Sequence, residues 1–152
     1  MKLNTAQKGL AGEFFTLAQL TRQGLTASLT LGNTKGVDIL VANEKTGDFF
    51  KVEVKTTSNK PNKSTLCYQW TLSKNNEITI ENLIYCFVYL PESELDQMPQ
   101  FYLVRNEIVG PELIRSHKEW LKKPGRKDSS MRKFRIEKDD PKNYKDNWSV
   151  FK

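Results

Sequence analysis

Residues 35–57, KGVDILVANEKTGDFFKVEVKTT, read as a strand, a turn and a second strand. Alternating side chains at 37–41 and 49–55 give the strand signal, and the polar run 43–48 with Gly47 gives the turn, so an antiparallel hairpin is expected. If Ala42 faces Phe49 across that turn, Leu40 faces Lys51 and Asp38 faces Glu53. Side chains alternate along a strand, so Glu53 and Lys55 share one face while Phe50, Val52 and Val54 share the other. Two carboxylates directly opposite each other repel, unless a cation lies between them or one keeps its proton. A divalent metal would resolve the conflict. Carboxylate oxygens suit magnesium, which keeps several waters and takes further ligands from phosphates. The plainer alternative is an edge hairpin with a solvated face, in which Lys55 simply pairs with Glu53.

Before the hairpin, residues 5–23 place Leu10, Phe14, Leu17 and Ala18 at helical spacing, with Thr5 as cap and Gly24 as stop. Glu13 lies near that apolar stripe, where a charge wants a partner, although an acid in the early turns also suits the helix dipole. Gly9 and Gly12 are poor helix formers and point to a close neighbour, either a sheet or a nucleic-acid backbone. Residues 25–31 form a short strand, and 32–36 a turn into the hairpin.

Beyond the hairpin comes a polar loop, 58–65, whose Lys60 and Lys63 can touch phosphates or merely face water. Residues 66–72 are strand-like. The apolar run 83–90 is that of a strand buried on both faces and belongs in mid-sheet. Residues 101–104 precede a helix that Asn106 caps and that runs to about Leu121 despite Pro111. His117, the single histidine, cannot form half of a two-histidine site and reads as a surface residue.

A chain of 152 residues, 38% hydrophobic and 28% charged, is long enough for one core, so residues 1–152 are expected to form one domain. No apolar run approaches a membrane span, the first residues lack the apolar stretch of a signal peptide, and Cys67 and Cys86 lack metal-ligand spacing. A reducing cytoplasm is expected. Charge is uneven: residues 1–114 hold 11 Lys and Arg against 12 Asp and Glu, while 115–152 hold 13 against 6. The basic C-terminal quarter, with Lys123, Arg126, Lys127, Arg132 and Lys133, is the footprint of a protein that meets polyphosphate, or else a solvated tail. Trp148 and Phe151 read as anchors tying this segment to the core.

Taken in order, Gly9-x-x-Gly12-Glu13 on a helix, Gly36-Val37-Asp38-Ile39-Leu40, and Val52-Glu53-Val54-Lys55-Thr56 resemble the PD-(D/E)xK nuclease superfamily, as in small Holliday-junction-resolvase-like nucleases. Val37 stands where the motif has proline, and the resemblance covers about residues 5–90. It implies an α/β, restriction-endonuclease-like fold, a central mixed sheet flanked by helices. It also implies hydrolysis of DNA phosphodiesters with Mg2+ or Mn2+. Asp38 and Glu53 look like the metal-binding acids, Lys55 like the group that orients the attacking water or steadies phosphate charge, and Glu13 like an auxiliary acid. Gln69 is similar in position to a polar residue of some members. The alternative is a module on the same fold that holds nucleic acid or protein without cutting. Cutting both strands of a duplex with so small a chain calls for two copies or two successive nicks, so a homodimer is expected.

Overall fold

Helix α1 (Thr5–Arg22) is capped by Asn4 rather than Thr5: Asn4 accepts from the Gln7 amide, and the Gln7 side chain accepts from the Asn4 amide. Gly24, at φ +77°, follows its end. The computed structural model describes residues 2–31, 36–92 and 96–152, so most of the turn expected at 32–36 lies outside the described residues. The buried positions of α1 are Gly12, Thr16 and Leu20, every fourth residue. The expected apolar stripe is therefore displaced. Leu10, Phe14 and Ala18 are exposed, Phe14 by 53%, and Leu17 is only half-buried. The physical reason sits at Gly12, where an added Cβ would fall 2.0 Å from the Thr56 hydroxyl, so the helix lies close on its small-residue side. Gly9 has open space around it, and only one of the two glycines marks a close approach.

The strands are β1 (Thr26–Leu29), β2 (Ile39–Asn43), β3 (Asp48–Thr57), β4 (Cys67–Ser73), β5 (Leu83–Tyr89), β6 (Gln100–Arg105) and β7 (Met131–Glu137), with helix α2 (Asn106–Leu121) between the last two. Five of them form a sheet in the order β1-β2-β3-β5-β6, antiparallel except where β3 lies parallel to β5. The hairpin register is the expected one: Ala42 faces Phe49 and Leu40 faces Lys51. Strand β5, between β3 and β6, is buried along its whole length, as its unbroken apolar run requires.

The basic stretch after α2 is not simply a charged tail. Its residues 131–137 form β7, which pairs antiparallel with β4 into a separate two-stranded ribbon. Tyr68, Trp70, Leu72, Phe134 and Ile136 on the ribbon's inner side pack with Tyr85, Phe87 and Tyr102 of the sheet and Val109 and Leu113 of α2. Phe134 stacks on Phe87 at 4.6 Å between ring centroids. Helix α1 covers the other sheet face through Leu20, against Ile39, Val52, Val54 and Ile84. The architecture is thus α/β, a mixed central sheet flanked by helices.

Two further expectations are corrected at the second helix. Its cap position is Arg105, while Asn106 is the first helical residue, buried, with its side chain accepting from the Ile80 amide. His117 is not a free surface residue: its ring stacks on Trp120 and its Nε2 lies 2.7 Å from Asp128. The anchoring of the C-terminal segment is as expected. Phe151 is buried edge-on to Phe50 at 5.4 Å, its carbonyl accepts from Asn43, and Trp148 packs beside Phe101. No helix among the described residues is long and apolar enough to cross a membrane.

Candidate active site

Strand β3 outruns β2. The paired register of the hairpin stops where Ile39 faces Val52, so β3 amides beyond it face no partner strand on that side. The Asp38 carboxylate stands in, accepting the Val54 N–H at 2.6 Å. Its backbone is held as well, with its N–H on the Val52 carbonyl at 2.8 Å and its own carbonyl accepting from Thr30 at 2.9 Å. A buried N–H needs an acceptor, so local chain geometry alone holds this carboxylate at the sheet's open end.

Glu53, on the face that turns towards the ribbon, is 5% exposed. A carboxylate so buried must be paired. Lys55 places its Nζ 2.6 Å from Oε1, and the Asn76 amide lies 3.2 and 3.1 Å from the two oxygens. The same amide reaches the Tyr85 hydroxyl at 2.9 Å. Asn76 is itself oriented, because its oxygen accepts from the Ser73 N–H at 2.9 Å and the Ser73 hydroxyl at 3.1 Å. Gly36, at φ +73°, carries the chain past Glu53, where a Cβ would be in ordinary van der Waals contact with Oε2 at 3.5 Å.

The charges are coupled. Burial, and secondarily the Glu53 charge, holds the Asp38 carboxyl above the usual aspartate range, against the pull of the Val54 N–H and Lys55. Glu13, reaching over from α1, is raised by burial and by Asp38, while Lys55 opposes the shift. Burial followed by the Glu53 charge pushes the Tyr85 phenol upward, so it stays protonated as a neutral neighbour. A group of acids with two carboxyls raised is one that an added cation would relieve.

Glu13, Asp38, Glu53 and Lys55, taken from the sequence as one set, therefore come together. Lys60 and Lys63 lie exposed in the loop after β3, and Lys123, Arg126 and Lys127 lie exposed in the loop between α2 and β7. Lys133 is on the outer side of β7, donating to the Thr71 hydroxyl at 3.1 Å. Arg132 is a correction. It points inward, 3% exposed, paired with Glu77 and donating to the Ser129 and Met131 carbonyls, so it is a structural cation and not a surface contact. Gln69 accepts from Arg135 on the ribbon, away from the acids. The sequence reading missed Asn76 and Tyr85. The Ser73-x-x-Asn76 spacing does signal a side chain folding back on its cap, but nothing local shows that Asn76 also meets a glutamate 23 positions earlier.

A groove of about 580 Å3 runs along α2 and β7, lined by none of these acids. No protein-family model and no curated protein matches the chain. Among solved structures it is similar to the bacterial homing endonuclease I-Ssp6803I, with a TM-score of 0.59 over 98% of this chain and 91% of that one. The two share a fold. At 14% identity the likeness goes no further than that, and what the endonuclease fold does in this chain rests on its own residues.

Proposed function

We propose that the chain is a metal-dependent nuclease of PD-(D/E)xK type that hydrolyses DNA phosphodiester bonds, residues 1–152 acting as one domain. The observation that carries the reading is the convergence of Asp38, Glu53 and Lys55 at the end of one hairpin, with Glu13 beside them. The similarity of fold to a homing endonuclease is consistent with it.

The donor set fits a hard divalent cation. Among the described residues, no three acidic, histidine or cysteine side chains group as a ready metal cage. Asp38 and Glu53 would hold magnesium or manganese as two carboxylate ligands, leaving the remaining positions to water and phosphate oxygens, the usual arrangement for magnesium. When bound, such an ion lowers the pKa of a coordinated water and neutralises charge on the phosphoryl group. Lys55, held on Glu53, offers a cation that orients the attacking water and steadies phosphate charge. Glu13, whose carboxyl is raised, is an acid able to hold a proton near the reacting oxygens. Asn76 keeps Glu53 from turning away.

The test is incubation with supercoiled plasmid and with labelled single strands, in magnesium, manganese or chelator, beside Glu53→Ala and Lys55→Ala. Cleavage that needs metal and falls at least about 100-fold in both variants is expected, in line with the loss of one preorganised charged group. Salt-sensitive binding with no cleavage on any substrate would instead favour the non-cleaving module. Light scattering with and without duplex decides whether two copies act together.

A further inference from the structure

The ribbon of β4 and β7 has a second side that the core does not use. Facing outward are the cross-strand neighbours Gln69 and Arg135, then Thr71 and Lys133, with Ser73 and Met131 at one end and Cys67 and Glu137 at the other. Arg135 donates to Gln69 at 3.0 Å and Lys133 to Thr71 at 3.1 Å. All four lie at least partly open to solvent, so water or another hydrogen-bonding partner can replace these bonds. Beside them, between β7 and α2, runs a groove of about 140 Å3 lined by His117, Trp120, Ser129 and Met131 together with Lys133 and Arg135; Asp128 pairs with its His117, and the same Lys133 and Arg135 also line the larger groove that Glu107, Glu112, Glu137 and Asp140 share. Arg126 lies over the Trp120 ring at 5.2 Å.

The ribbon's position connects it to the acids. At its Ser73 end, Asn76 bonds Ser73 on one side and Glu53 on the other, and the Lys74 amide donates to Ser130 at the foot of the basic loop. The ribbon therefore starts beside the candidate site and leads away from it. Seven residues of antiparallel strand extend about 20 Å, the length of roughly six stacked base pairs.

We propose that the outer side of this ribbon reads double-stranded DNA from the major groove. An antiparallel two-stranded ribbon is one of the few protein elements that groove admits, and its side chains match the groove's chemistry: arginine forks onto guanine, glutamine onto adenine, and threonine meets the thymine methyl. Arg135, Gln69 and Thr71 supply these three, while Lys133 and Arg126 reach phosphates and fix the register. A-form RNA does not offer the same reading, because its major groove is too narrow for side chains to enter. The surface binds whether or not the acids cut; only its place beside a scissile bond rests on the nuclease reading.

Binding is measured in chelator, where cleavage plays no part, by fluorescence anisotropy and by selection from a pool of duplexes of about 30 base pairs with randomised centres. The wild-type protein is expected to enrich a short preferred sequence. Arg135→Ala should lose the preference at one position and bind the enriched duplex about 5- to 150-fold more weakly, the range for one bidentate contact. Arg135→Lys should lose the same preference yet keep its affinity for random duplex, because charge survives and the fork does not. Lys133→Ala should weaken binding to all duplexes alike and lower the salt slope by about one. Enrichment and affinity unchanged in Arg135→Ala and Gln69→Ala overturn the proposal, as does a pool from which nothing is enriched or a single strand bound more tightly than duplex. Enrichment without metal-dependent cleavage leaves the ribbon standing and removes the nuclease reading; cleavage with unaltered preference in Arg135→Ala does the reverse.

Discussion

Asp38 does two jobs that pull in opposite directions. As an acceptor for Val54 it finishes the ladder, and as a charge it crowds Glu53 and Glu13. Its folded-state pKa and that of Glu13 are raised, so the folded protein holds those protons more tightly than the unfolded chain does. The stability they contribute is complete below the unfolded carboxyl range and is lost as pH rises through the raised values. Asp38→Asn keeps an acceptor for Val54 and removes the charge. In chelator at pH 7 it is expected to melt higher than wild type, with the gap closing near pH 4, and magnesium should raise the melting temperature of wild type alone. A variant that melts lower at pH 7 would show that the charge is already compensated. Asn76→Ala acts on the same unit from outside it. Removing the amide takes away the group that ties Glu53 to Ser73, and magnesium affinity measured by calorimetry should fall about 10- to 100-fold, as for other groups that orient a ligand.

At the scale of elements, the seat of α1 on β3 rests on a missing side chain. Gly12→Ala would set a methyl against Thr56, whose branched side chain has little freedom to turn aside, and should destabilise by about 1–3 kcal/mol. Gly9→Ala meets nothing and should stabilise by about 0.5–1 kcal/mol through the unfolded chain. Urea unfolding of the pair checks both signs, and equal effects would show that the helix is not seated as described. This contact explains why the apolar stripe of α1 misled: close approach selected Gly12, Thr16 and Leu20, which hydrophobicity does not mark as a face. The hairpin was legible to its register because alternation and turn chemistry are local signals. Strand β7 was not. Arg132, turned inward onto Glu77, breaks the alternation that Phe134 and Ile136 would otherwise show, and the partner that makes it inward is 55 residues away in sequence.

Across the whole molecule, the sheet is a divider. Helix α1 closes one face, the ribbon and α2 close the other, and the acids sit where β3 runs past β2. Within the basic C-terminal quarter, Arg132 lies inside, Lys133 and Arg135 stand on the ribbon, and Lys123, Arg126 and Lys127 lie in the loop that joins it to α2. The parallel contact of β3 with β5 brings Glu53 beside Tyr85, and only after the chain has made the whole excursion through β4. A hairpin closes within about 1–10 μs, whereas pairings so distant along the chain form late. In refolding from urea, hydrogen exchange should protect α1 and the hairpin first, and magnesium binding should return only with the slow phase that protects β5. Return of binding in the early phase would disconnect the two. A half-made molecule then carries its acids and Lys55 but not the pairing that sets Glu53 beside Tyr85, so on the proposed reading a newly synthesised chain gains its metal site only once β3 and β5 have met.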